Sequence, residues 1–71
     1  MELKKYPKEI RQESGSKIGW LYYKSKAKAL EASEIAKHNA EIKTAKGFDF
    51  GYQSPGDVRE CENGDFVVII P

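Results

Sequence analysis

Few side chains in this sequence can act as a nucleophile, a base or a metal ligand. His38 is the only histidine, and Glu34 precedes it by four residues. On a helix that spacing puts both on one face, as half of a zinc or acid–base site would be. A site needs further converging groups, and none lies within sequence reach, so His38 reads as an ordinary solvated histidine. Cys61 is the only cysteine. Arg59 nearby favours its thiolate, whereas Glu60 and Glu62 oppose it, and a free cysteine commonly serves as a small buried apolar side chain. Asp49-Phe50-Gly51 has the letters of the magnesium motif of protein kinases, but 71 residues leave no space for the rest of that machinery. Gly47, Gly51 and Gly56 lack the strand-to-helix setting in which a glycine loop cradles phosphate. No nucleophile, base and orienting group can be assembled, so the expectation is a protein with no catalytic residues, no metal and no cofactor.

Binding chemistry is better represented. Trp20, Tyr22 and Tyr23 offer aromatic faces, and Lys24, Lys26 and Lys28 follow them. Aromatics that stack on bases beside lysines that neutralise phosphate would suit a nucleic acid, with Trp20, Lys24, Lys26 and Lys28 as its contacts. The same residues serve equally well as a core strand running into a helix start. The formal net charge is only +1, which supplies little of the long-range attraction that nucleic-acid binders rely on. That charge is unevenly spread: residues 1–28 hold eight basic and three acidic side chains, residues 29–71 four and eight. Nucleic-acid binding is therefore the alternative reading here, and binding of a protein partner the leading one.

The elements that would position these groups follow from periodicity. Lys17 to Lys24 reads as a strand, with Ile18, Trp20 and Tyr22 on one face and Gly19, Leu21 and Tyr23 on the other. Lys26 to Lys46 reads as a helix, with Ser25 capping its start and Gly47 ending it. Ala29, Ala32, Ser33, Ala36 and Ala40 form its buried stripe, flanked by Ile35 and Ile42. Leu30 falls outside that stripe. Phe48 to Gly56 is a compact aromatic loop of the kind that is either held down by its side chains or used for binding. Asp57 to Glu62 and Asp65 to Ile70 read as a hairpin around a two-residue Asn63-Gly64 turn. That turn would set Val58 against Ile69 and place Val58, Val67 and Ile69 on one face. A further edge strand near Glu9 to Glu13 would make the sheet four-stranded. The expected architecture is α+β: one amphipathic, alanine-rich helix on a three- or four-stranded antiparallel sheet, in the order β-α-β-β. It forms a single domain over residues 1–71, with residues 1–15 as a polar N-terminal segment.

A chain this short buries roughly 60% of the surface that its unfolded form exposes, so self-association would help it. A lone cysteine, an N-terminus without an apolar run and no apolar stretch longer than Phe66 to Ile70 point to a cytoplasmic protein with no membrane segment. The expected contact surface combines Trp20, Tyr23, Phe50 and Tyr52 with the apolar back of the last strand, Val58, Val67 and Ile69. A homodimer closed by that strand would use the same surface.

In layout, Gly19-Trp20-Leu21-Tyr22 ahead of an Ala/Glu/Lys helix, then Gly47-Phe48-Asp49-Phe50-Gly51-Tyr52 and Ser54-Pro55-Gly56 before a terminal hairpin, resembles the small orphan accessory proteins of tailed bacteriophages. The likeness covers about residues 18–71. It implies a non-essential, non-structural protein that binds and modulates a host or phage component, and it transfers no functional residues.

Overall fold

The computed structural model describes residues 2–51 and 54–71. In chain order these form β1 (Arg11–Ser14), β2 (Gly19–Tyr23), α1 (Lys26–Ala45), β3 (Val58–Glu60) and β4 (Phe66–Ile70). The strands make one antiparallel sheet in the spatial order β1-β2-β4-β3, with α1 lying on one side against β4, β2 and β3. The helix-on-antiparallel-sheet expectation holds, and the fourth strand is real. It spans 11–14 instead of 9–13.

Local chemistry sets the helix ends. Ser25 is extended and its hydroxyl accepts from the Lys28 amide at 3.4 Å. At the other end Gly47 takes φ 94°, and its amide and that of Phe48 close onto the Thr44 and Lys43 carbonyls at 2.9 and 3.0 Å. This paired closure needs a residue at ease with positive φ. The buried stripe contains Ala29, Ala32, Ser33, Ala36 and Ile42, as the periodicity predicts, and Asn39 besides, while Ala40 and Ile35 are half-buried. Alanines at the contact let the helix axis come close to the sheet, where Leu21, Tyr23, Val68 and Ile70 complete the core.

Two features depart from the sequence reading. The first is the hairpin register: Val58 pairs with Val68, Arg59 with Val67 and Glu60 with Phe66. The loop has three residues, Glu62-Asn63-Gly64, because the Gly64 amide bonds the Cys61 carbonyl at 3.0 Å and the Cys61 amide bonds the Asp65 carbonyl at 2.7 Å. Gly64 at φ 89° is the left-handed residue that closes such a turn, and the Asn63 carboxamide accepts from the Asp65 amide at 3.0 Å. One residue of slip turns Val58 to the helix side of the sheet, where it packs against the core. The second feature is the N-terminal segment. Asn39 accepts from the Lys4 amide at 2.8 Å and donates to the Lys4 carbonyl at 3.0 Å and the Tyr6 hydroxyl at 3.1 Å. Tyr6 packs against the core, and the Tyr23 hydroxyl donates to the Pro7 carbonyl at 2.8 Å. Residues 2–9 are thus tied to the helix side of the molecule. Among the described residues every buried side-chain nitrogen and oxygen has a hydrogen-bond partner.

Candidate functional site

One helix covers one face of the sheet. The opposite face is built from alternate residues, since strand neighbours point to opposite sides. Leu21, Tyr23, Val68 and Ile70 point into the core, so Trp20, Tyr22, Val67 and Ile69 point away from it. The pairing arranges them in two rows across the strands. Glu13, Trp20 and Ile69 form one row, and Arg11, Tyr22, Val67 and Arg59 the other. The four central side chains are half-buried, and no described helix or strand lies over them, while Arg11, Glu13 and Arg59 on the outer strands are exposed.

Polar contacts fix the aromatic part of this face. The Arg11 guanidinium lies 4.0 Å from the centroid of the Tyr22 ring, a cation–π stack. The Tyr22 hydroxyl donates to Glu13 Oε1 at 2.6 Å. That bond to the carboxylate, more than burial, raises the tyrosine pKa above its ordinary value of 10.0. The Trp20 indole lies over the turn at Gly15, where an added Cβ would stand 3.2 Å from the ring, so glycine at this position gives the indole its seat. Shallow depressions flank the apolar strip. Ile10, Arg11, Tyr22, Cys61 and Asp65 line one, and Lys17, Ile18, Trp20, Phe50 and Gly51 the other.

Of the contact residues expected from sequence, Trp20, Val67 and Ile69 come together on this open face. Tyr23 does not: at 1% exposure it is a core side chain, because it shares its side of β2 with Leu21. Phe50 is also buried, against Phe48 with ring centroids 4.6 Å apart. Val58 lies on the helix side for the register reason given above. Tyr52 lies outside the described residues. Lys24, Lys26 and Lys28 are exposed at the helix start, beyond the end of β2 that carries Tyr23. Four residues of extended chain put Lys24 roughly 13 Å from Trp20, so the aromatic and basic halves of the nucleic-acid reading are separated.

The expected protein-contact surface omits Tyr22, Arg11 and Glu13, although Tyr22 is on the Trp20 face of its strand and among the aromatics of the nucleic-acid reading. The signal for Tyr22 was its period-two relation to Trp20; the other two needed the position of β1. His38 is half-buried with Nε2 3.2 Å from the Glu2 carbonyl. Cys61 is half-buried beside the first depression. Among the described residues no group of three or more His, Cys, Asp or Glu side chains could hold a metal ion, and no helix is long and apolar enough to cross a membrane. No family model, curated protein or solved structure matches this chain.

Proposed function

We propose that this protein is a non-catalytic interaction module that binds a protein partner through the helix-free face of its sheet. The observation that carries this reading is the strip of Trp20, Tyr22, Val67 and Ile69 on the side of a four-stranded sheet away from the helix, bordered by Arg11, Glu13 and Arg59. An aromatic and aliphatic centre ringed by charge is the composition that protein interfaces favour. The layout likeness to phage accessory proteins supports a host or phage protein as the partner, and the lone cysteine supports the cytoplasm as the place of encounter. A second copy meeting the same strip is the homodimeric form of this reading. β4 has β2 on one edge and β3 on the other, so such a dimer would use the face of that strand and not its edge.

Affinity capture from host lysate by the wild-type chain, set beside Trp20→Ala, Ile69→Lys and the helix-side control Leu30→Lys, tests the proposal. A defined protein retained by wild type and Leu30→Lys but lost with both sheet variants is the expected result. Equal capture by all four removes the open face from consideration. The nucleic-acid alternative needs Trp20 and the three lysines to act together, and a low-salt mobility shift that Lys26→Glu abolishes would favour it instead.

A further inference from the structure

β1 is an edge strand with all four residues exposed, and no other described strand lies beyond it. Its stereochemistry is legible from one bond. The Gly15 amide donates to the Ile18 carbonyl at 2.7 Å, and antiparallel pairs alternate between those that exchange main-chain bonds and those that do not. Glu13 with Trp20 and Arg11 with Tyr22 are therefore the bonded pairs facing β2. The N–H and C=O groups of Gln12 and Ser14 point outward. Natural edges of this kind are protected or used, and the side chains decide which.

Here they are complementary to themselves. An antiparallel strand added to β1 must set outward-facing positions opposite one another. With Gln12 opposite the partner's Gln12, Arg11 stands across from the partner's Glu13 and Glu13 across from the partner's Arg11. Both are non-bonded pairs, the type that brings side chains closest. Shifting the register so that Ser14 opposes the partner's Gln12 sets Glu13 against the partner's Glu13, a like-charge clash. Placing Ser14 opposite the partner's Ser14 leaves Arg11 without a facing strand.

We propose that a second copy of this chain adds to the β1 edge about a twofold axis at Gln12, joining two four-stranded sheets into one of eight strands. The charge pattern calls for a strand with a basic and an acidic residue two apart, which β1 of a second copy supplies, and a chain this small gains from the added pairing. The β1 edge shares Arg11 and Glu13 with the border of the open face, but the pairing runs through the main chain of Gln12 and leaves the strip of Trp20, Tyr22, Val67 and Ile69 uncovered.

Sedimentation equilibrium of the whole chain from micromolar to millimolar concentration, with circular dichroism to verify folding, tests it. Wild type is expected to dimerise. Arg11→Glu and Glu13→Arg each create two like-charge pairs, and each alone should weaken dimerisation at least about tenfold. An equimolar mixture of these two variants should recover a heterodimer, because every facing pair is then opposite in sign. Gln12→Pro, which removes an outward-facing donor and leaves the bonds to β2 in place, should be monomeric. A wild type that stays monomeric throughout overturns the proposal, as does a mixture that fails to associate or a dimer that survives both single reversals. Loss of the dimer through Ile69→Lys but not through Arg11→Glu would move it to the open face and equally overturn the edge.

Discussion

The side chain of Asn39 grips the Lys4 main chain from both sides, accepting from its amide at 2.8 Å and donating to its carbonyl at 3.0 Å across 35 residues of sequence. This is the hydrogen-bonding pattern of one strand residue against another, supplied by a carboxamide in mid-helix. It explains how a polar, irregular N-terminal segment is held on the molecule, and why a helix stripe of alanines contains one amide.

Asn39→Ala should destabilise the protein by about 1 kcal/mol, since it strips partners from the part-buried main-chain groups of Lys4. Asn39→Asp should be no better than alanine, because a carboxylate cannot donate to the Lys4 carbonyl. Hydrogen exchange supplies the specific readout: the Lys4 amide should lose protection in both variants while the amides of β2 and β4 keep theirs.

Val68 and Val67 are adjacent and chemically identical, yet face opposite ways; Val68 is fully buried at 0% exposure. Val68→Ala should cost roughly 2–3 kcal/mol in denaturant unfolding through lost burial and a residual cavity. Val67→Ala, on the open face, should cost under about 1 kcal/mol. Equal losses would contradict the placement of the core.

Gly56 and Gly51 both take positive φ, at 99° and 64°, but differ in surroundings. A Cβ at Gly56 would stand 2.6 Å from Lys37 Cγ and 3.3 Å from the Ser33 carbonyl, where the Ser33 hydroxyl also donates to the Gly56 carbonyl. At Gly51 it would meet no atom of the described residues within 4 Å. Gly51→Ala should therefore cost about 1 kcal/mol of backbone strain alone, and Gly56→Ala measurably more, with a lower thermal midpoint.

Burial pushes the Tyr23 hydroxyl up to about 12 from its ordinary 10.0, with the negative charge of Glu9 a lesser cause. A folded-state pKa above the unfolded one means that the folded protein keeps its proton longer. The contribution is thus complete below about pH 10 and lost as pH rises toward 12. Tyr6 is raised too, chiefly by burial, and adds to the same alkaline loss. Urea unfolding at a series of pH values should show stability falling across this window. Tyr23→Phe should be less stable at pH 7 by about 1 kcal/mol for the lost bond to Pro7, yet fall less steeply between pH 10 and 12.

Much of the fold was legible because it is written in local chemistry. The cap at Ser25, the stop at Gly47 and the alanine spacing are all properties of neighbouring residues, and each appears in place. The candidate site was legible only in part. Trp20, Val67 and Ile69 face outward as expected, whereas Tyr23 and Phe50 are buried: residue type does not say which side of a strand meets a helix, nor that a loop aromatic folds in against its neighbour Phe48. Val58 was misplaced through a loop that holds three residues and not two.

By itself the sequence determined the kinds of element and their order: one capped helix with a small-residue side, flanked by strands rich in branched and aromatic groups. Tertiary structure alone decided the phase of each strand. A period of two allows either face to be buried, and the choice turns on what the helix and the tied-down N-terminal segment cover. The same decision made Tyr23 core and Tyr22 surface, and left β1 at the edge with its charges displayed.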